Sequence, residues 1–284
     1  MSEARAYAEH VGDPVEVDAS TIVHRYWLHK TRIDAEYRIR QISAGSLLDS
    51  ASHLRDYLAR LREDPCWRGC NIIAPLQEAA AALVDQRRPM AARLGTVDLI
   101  VRDGGMLTGC NSAATGFMLP LFGRISAMPS LKVLLVGAGC HARTIAHALD
   151  DLGLQLVIAS RNLASARRLV AELNRGEVHK AVPLDLVSTL GSDFGLLINA
   201  TPMGSSGNPP FPTFLEMLAP GAIVYDLVRD PVPTRLLISA QANGLTTIGG
   251  LEMLIARASL SFEGLFGKRP PREFDNQLQL LLSP

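Results

Sequence analysis

The sequence predicts an α/β fold divided between two domains, and three observations carry that prediction. The first is the stretch from Leu131 to Asn162. An apolar run, Val133 to Val136, stops at Gly137, with a second glycine at Gly139 and a small Ala142. Ile145, Ala148, Leu149 and Leu152 then recur at helical spacing, and a second apolar run, Leu156 to Ala159, closes on Ser160-Arg161. That is strand, tight turn, helix, strand with G-x-G-x-x-A at the turn. The second observation is that strand-like apolar runs alternate with helical patterns along the rest of the chain, which argues parallel sheets. The third is size: 284 residues, 48% of them hydrophobic, with a mean hydropathy of +0.15, supply material for two packed cores.

Taken in order, Tyr7 to Val11 reads as a short strand, followed by the glycine-proline loop GDPVEVDAS. Asp18 or Ser20 is placed to cap the next helix, Thr21 to Lys30. Ala35 to Ile39 reads as strand and Ser46 to Leu61 as an amphipathic helix. WRGCNIIAP, from Trp67, is a buried strand stopped by Pro75, and Leu76 to Leu94 is an alanine-rich helix. Val97–Val101 and Met106–Cys110 flank Asp103-Gly104-Gly105, a hairpin signal. Asn111 or Ser112 caps a helix that runs to about Phe122.

After the βαβ unit, Lys180 to Leu190 carries a further strand–helix pair, and FGLLINATPMG runs from strand into loop. GAIVYDLV is a strand, Pro233 to Ala242 a helix and Thr246 to Ile248 a short strand. Gly249-Gly250 opens a long helix to about Phe266, and PREFDNQLQLLL closes the chain as a helix. The expected division is residues 1–112 plus 251–284 for an α/β substrate-binding domain and 113–250 for a Rossmann domain.

Bulk composition excludes several functions. Net charge is zero and the pI is near 7, so neither a nucleic-acid nor a membrane-surface footprint is expected. The N-terminal MSEARAYAEH lacks an apolar signal core, which together with four unpaired-looking cysteines (Cys66, Cys70, Cys110, Cys140) predicts a cytoplasmic location and no metal site. The expected partner is a small molecule, and the expected assembly a monomer or homodimer.

The G-x-G-x-x-A turn specifies the cofactor chemistry. Gly137 permits the sharp turn, and Gly139 lets backbone approach a pyrophosphate at the positive end of a helix. Ala138, Cys140 and His141 complete that turn, and His141 is placed to donate to the cofactor or to face solvent. An acidic residue at the end of the second strand would bind the ribose hydroxyls of NAD. This chain has Ser160, Arg161 and Asn162 there, and a guanidinium pairs with a 2′-phosphate, so NADP is expected before NAD. The other reading of Arg161 is a solvated loop cation.

Five segments in this order make the chain resemble the shikimate/quinate dehydrogenase family over essentially its full length: GDPVEVDAST, GCNIIAPLQEA, LGTVDLIV with GCNSAATGF, the VGAGCHA turn with NATPMG, and VYDLVRDPVPT with GGLEML. The resemblance implies a substrate domain paired with an NADP-binding Rossmann domain and reversible hydride transfer between NADP and a ring alcohol or ketone. It places Thr201, Pro202 and Met203 along the nicotinamide side of the cofactor, with Gly250 and Met253 also at the cofactor.

On the substrate side the chain departs from the family pattern. Two serines that hold a substrate carboxylate in the family correspond to Asp18 and Ser20. In GCNIIAPLQ the family's asparagine is kept as Asn71, but its threonine has become Ile73 and its lysine Gln77. Asp98 replaces an asparagine, Ala113 replaces an aspartate after the retained Asn111, and Arg257 replaces a glutamine. The lost Lys–Asp pair is the family's proton-transfer device. Gln77 can hydrogen-bond a hydroxyl but cannot take its proton at neutral pH, and Ala113 can do neither.

Asp98 is therefore the candidate substitute acid or base, with Gln77 as an orienting partner. Asp18, Ser20, Asn71, Asn111 and Arg257 are the candidate substrate ligands, with helix capping for Asp18 and a surface ion pair for Arg257 as their structural alternatives. The expected function is an NADP-dependent oxidoreductase acting on a small polar cyclic compound other than shikimate. The alternatives are a catalytically silent NADP- or metabolite-binding homologue and a weak shikimate/quinate dehydrogenase.

Overall fold

The computed structural model describes residues 5–12, 14–42, 47–125, 131–191, 193–212 and 214–283. The chain divides into two compact units: Met1–Gly116 with Leu254–Leu278, and Phe117–Met253 with Gln279–Pro284. Each is an α/β layer structure built on a six-stranded sheet.

In the first unit the elements are β1 (Ala6–Gly12), α1 (Ala19–Thr31), β2 (Ala35–Gln41), α2 (Leu47–Arg62), β3 (Trp67–Ile72), α3 (Gln77–Leu83), β4 (Gln86–Arg87), α4 (Pro89–Leu94), β5 (Leu99–Asp103), β6 (Met106–Cys110) and the start of α5 (Ser112–Leu121). The sheet order is β2-β1-β3-β5-β6-β4. Strand β1 pairs in parallel with both β2 and β3, and β5 runs antiparallel to both β3 and β6. Glu9 and Val11 alternate with Ala8 and His10 along β1, so the strand sends two different sets of side chains to its two faces. One face packs Tyr7, Val11, Trp67, Cys70 and Ile72 against Leu54, Tyr57 and Leu58 of α2. The hairpin predicted at Asp103-Gly104-Gly105 forms, with φ of +55° at Gly104 and +88° at Gly105, values that suit glycine and a primed turn.

The alanine-rich stretch from Leu76 to Leu94 is not one helix. It breaks into α3, a two-residue strand and α4. Val84 leaves the helix in an extended conformation (ψ 153°), and Arg88 is extended before Pro89, as a residue preceding proline must be. Pairing with β6 holds the break open. Asp85 N–H donates to the Leu107 carbonyl, Arg88 N–H donates to the Gly109 carbonyl, and the Asp85 carboxylate accepts from Leu107 N–H at 2.7 Å. Ser46, the expected start of the second helix, lies outside the described residues.

In the second unit the elements are β7 (Lys132–Val136), α6 (Cys140–Asp151), β8 (Gln155–Ser160), α7 (Leu163–Glu172), β9 (Lys180–Pro183), β10 (Phe194–Asn199), β11 (Leu218–Asp226), α8 (Arg235–Ala242), β12 (Thr246–Gly249) and the start of α9 (Gly250–Phe266). Helix α10 (Asp275–Leu282) is divided between the two units after Leu278. All pairings are parallel, in the order β12-β11-β10-β7-β8-β9. Central strands buried on both faces explain why KVLLV and FGLLIN read as continuous apolar runs rather than alternating ones. The helix expected in Lys180 to Leu190 is a 3₁₀ segment, Leu184–Thr189. No described helix is long and apolar enough to cross a membrane.

Candidate active site

Both sheets contain a switch point. In the first unit β1 lies between β2 and β3, so consecutive crossovers leave in opposite directions; in the second unit β7 lies between β8 and β10. Open α/β sheets bind ligands outside the carboxyl ends of the strands at such a point. Here the two places are the ends of β1 and β3 in the first unit and of β7 and β10 in the second.

The second unit's switch point is a cleft of about 300 Å³. Gly137, Ala138 and Gly139 line it together with Ser160, Arg161, Asn162, Ser165, Thr201, Pro202 and Met203. Gly137 sits at φ +122°, and a Cβ there would come within 2.9 Å of the Ala200 carbonyl. Gly139 caps α6, and a Cβ on it would project into open space, so the backbone at the helix's positive end is bare. Arg161 is exposed and forms no ion pair among the described residues. Beside it, Ser160 Oγ accepts from Asn162 N–H, and the Asn162 side chain accepts from Ser165 N–H as the cap of α7. This cradle fits a dinucleotide carrying an extra phosphate: amides for a pyrophosphate, then a free guanidinium at the end of β8.

The Thr201–Met203 wall is held by residues that sequence reasoning missed. Asn199 Oδ1 accepts from both the N–H and the hydroxyl of Thr201, and its Nδ2 donates to the Met203 carbonyl and to Asp226 Oδ1. Asp226 also accepts from Val228 N–H and from the Thr234 hydroxyl at 2.6 Å. Burial pushes the Asp226 carboxyl above the ordinary carboxylate range, against the pull of those hydrogen bonds. The signal was a lone polar residue ending each of two buried strands, LLIN and IVYD.

Four expected cofactor residues do not line this cleft. Cys140 and His141 lie exposed on the first turn of α6, the sulfur 3.8 Å from His141 Nδ1, and that contact lowers the thiol's pKa. Gly250 packs beneath the end of β11, where a Cβ would strike the carbonyls of Leu227 and Val228, and Met253 is buried.

Around the first unit's switch point the structure collects most of the candidate substrate residues. Asp18 is the N-cap of α1, as one of its two readings required: Oδ1 accepts from Thr21 N–H at 2.9 Å and from the Thr21 hydroxyl at 3.0 Å. Its Oδ2 lies 3.5 Å from Nε2 of His10, a residue that sequence reasoning passed over. Asn71 accepts from the Tyr37 hydroxyl at 2.8 Å and donates to Ser261 Oγ at 2.9 Å. Ser20 is half-buried next to the same tyrosine. His24 donates Nδ1–H to the Ser20 carbonyl and stacks on Tyr37 at 4.2 Å. Its burial lowers its pKa to about 4. Gln77 is half-buried, with Nε2 donating to the Ile72 carbonyl, so its side-chain oxygen is the end available to a ligand.

Three nominated residues are committed elsewhere. Asp98, expected as an acid or base, is 2% exposed and accepts from Ser112 N–H at 2.6 Å and Ala113 N–H at 3.0 Å. It thus satisfies the first amides of α5, an anion at the positive end of a helix. Its Oδ2 also pairs with Arg257 at 3.3 Å, and Arg257 Nε donates to Ser112 Oγ. Asp98 is therefore a holding group and not a free proton carrier, and Arg257 has its charge answered within the protein. Asn111, expected as a substrate ligand, accepts from Ala114 N–H and donates to Thr96 Oγ1: it caps α5, as its sequence position also suggested.

Known proteins resemble this chain over its length. Residues 11–100 match the shikimate dehydrogenase substrate binding domain, and residues 123–205 match the family described as shikimate / quinate 5-dehydrogenase. A shikimate dehydrogenase (NADP(+)) of Sphingopyxis alaskensis is 36% identical over 98% of this chain and 97% of its own length. One from Gluconobacter oxydans is 35% identical over 92% and 90%. Among solved structures, quinate dehydrogenase from Corynebacterium glutamicum in complex with NAD superposes with a TM-score of 0.85 at 25% identity, covering 98% of this chain and 99% of that one. Shikimate 5-dehydrogenase from Thermus thermophilus, solved with NADP(H) and shikimate, gives 0.77 at 28% identity over 98% and 99%. With a two-unit α/β architecture, a dinucleotide cradle at the second switch point and full-length relatives, the chain belongs to the shikimate dehydrogenase family.

Proposed function

We propose that the chain is an NADP-dependent oxidoreductase that transfers hydride to or from a small polar cyclic compound other than shikimate. The observation that carries this reading is the contrast between a cofactor cleft that keeps the Gly137–Gly139 turn, Arg161 and the Thr201–Met203 wall and a substrate side with Gln77 and Ala113 where the family pattern has a lysine and an aspartate. Bound NADP(H) supplies or accepts the hydride. The Gly137–Gly139 turn and the amino end of α6 hold its pyrophosphate, Arg161 with Ser160 and Asn162 meets the 2′-phosphate, and Thr201 to Met203 border the nicotinamide.

Oxidising an alcohol by hydride loss also requires its hydroxyl proton to leave, and a positioned acid or base contributes roughly 10²–10⁴ in rate. Gln77 Oε1 can orient a hydroxyl without taking its proton. Ala113 presents a methyl group, and Asp98 spends both oxygens on α5 and Arg257. Chemistry that needs little proton assistance fits this arrangement best: an imine, or a polyhydroxylated or amino-bearing ring that exchanges its proton through its own groups or water.

The test is a panel of ring alcohols, ketones, amines and imines followed by NADPH absorbance. Turnover on a member of the panel above that on shikimate is the expected result; shikimate as the best substrate would overturn the reading. The loss of both Lys and Asp favours one second reading, a silent NADP-binding homologue. Tight NADPH binding with no turnover across the panel is its signature. If weak shikimate oxidation through positioning is the native activity, Gln77→Lys with Ala113→Asp raises it by on the order of 10²-fold or more.

A further inference from the structure

Resting on the oxidoreductase reading, we infer that Asp18, backed by His10, makes the crevice at the first unit's switch point select a neutral or cationic ring compound over a ring carboxylate. The placement comes from topology. Asp18 sits at the amino end of α1, directly after the loop that leaves β1, and β1 with β3 defines the switch point. Ile73, just beyond β3, reaches back so closely that a Cβ on Gly12 would fall on its side chain, which brings the two loops together.

The charge follows from the neighbours. Asp98 is balanced by Arg257 at 3.3 Å. Asp18 has no such partner: no Arg or Lys forms an ion pair with it among the described residues, and the titratable groups facing it are His10 at 3.5 Å, Tyr37 and His24. The cations on the packed elements are directed elsewhere. On α1, His24 is neutral at pH 7 because burial lowers its pKa to about 4, and Arg25 gives Nε–H to the Tyr37 carbonyl on β2. On β3 the group is Asn71, and on α9 it is Ser261. Arg257 bears on His10 from α9 but is paired with Asp98. Burial lowers the pKa of His10 as well, which favours its neutral form and leaves no cation from it to answer the Asp18 side chain.

The geometry leaves Asp18 able to accept from a ligand. Oδ1 is used by the helix cap, whereas Oδ2 faces His10 on a side chain that is 43% exposed. His10 is 3% exposed, and its Nδ1 has no hydrogen-bond partner among the described residues. The exposed carboxylate oxygen of Asp18 suits a ligand hydroxyl or ammonium and repels a carboxylate.

The experiment is isothermal calorimetry on the full-length chain saturated with NADP⁺, titrated with shikimate and with its neutral carboxamide. The wild type is expected to bind the carboxamide at least tenfold more tightly. Asp18→Ser keeps a side chain suited to the N-cap. It is expected to tighten shikimate at least tenfold while the carboxamide stays within threefold. Equal affinities in the wild type, a preference that survives Asp18→Ser, or NADP⁺ binding with neither ring compound taken up each overturns the assignment of Asp18 and leaves the cofactor reading intact. Failure to bind NADP⁺ overturns the oxidoreductase reading and the substrate selection with it.

Discussion

The two switch points share a topology but are built of different materials. At the second, the lining is largely backbone: bare amides at α6, a glycine at φ +122° and a guanidinium with no ion pair among the described residues, with polar side chains such as Asn199 and Asp226 turned inward to hold a loop. At the first, the polar groups are side chains, and most are tied to each other: Asp98 to Arg257, Asn71 to Tyr37 and Ser261, Asp18 to the α1 cap. A site made of backbone is fixed by a few glycines and reads directly from sequence. A site made of side chains can be rebuilt by exchanging partners, and its meaning is visible only when the partners are seen together.

The sharpest way to break the second site is Gly137→Ala. Adopting φ +122° with a side chain costs about 1–3 kcal/mol, and the contact with the Ala200 carbonyl adds an overpacking cost of similar size. We expect a combined loss of roughly 4 kcal/mol, seen as lost NADPH fluorescence enhancement and a lower urea midpoint. An unchanged NADPH Kd would separate this turn from cofactor binding.

The first site is expected to break with acid. His24 is fully buried with its pKa lowered to about 4, against 6.5 unfolded. The fold therefore favours the neutral imidazole. Its contribution is complete above pH 6.5 and is lost as pH falls from there toward 4, a difference of about 3 kcal/mol. Urea unfolding at pH 7 and pH 4.5 measures it. His24→Phe keeps an aromatic ring on Tyr37 and removes the titrating group, so its stability should fall less over the same interval; parallel curves would refute the assignment.

The Asp98–Arg257 pair tests whether side-chain sites are exchanged in units. Asp98→Asn leaves α5 amides poorly met and Arg257 uncompensated, a cost of about 2 kcal/mol once the partial exposure of Arg257 is discounted. Adding Arg257→Gln, so that both positions carry the residues of the family pattern, should recover on the order of 1 kcal/mol in a double-mutant cycle. Additive effects would show that the two substitutions are independent.

What the sequence disclosed follows the same division. The strands of the second unit announced themselves as apolar runs because both faces are buried, and the hairpin at Gly104-Gly105 because the turn demands glycine. The helix from Leu76 to Leu94 misled because alanine spacing outweighed Pro89, whose effect depends on pairing with β6. Asp98 looked catalytic and Arg257 looked like an anchor when each was considered alone. Their partners lie far away in sequence, and no local pattern links β5's approach to α9. His10 was silent for the same reason, since a histidine in a strand shows its role only beside Asp18.

The smallest expected effect is also the most specific to the backbone site. Arg161 contributes no packing and no ion pair among the described residues, so Arg161→Ser should leave stability within about 0.5 kcal/mol of wild type. Among the residues lining the cleft, its guanidinium is the one charge available to a 2′-phosphate at the end of β8. A charge-assisted hydrogen bond to a phosphate is worth about 1.5–3 kcal/mol, which is roughly 10- to 150-fold in Kd. The substitution should weaken NADPH by that factor and leave NADH within twofold. Equal losses for the two cofactors would mean that Arg161 shapes the loop instead of reading the phosphate. No loss for either would return it to a solvated cation and leave the selection of NADP to Ser160 and Asn162.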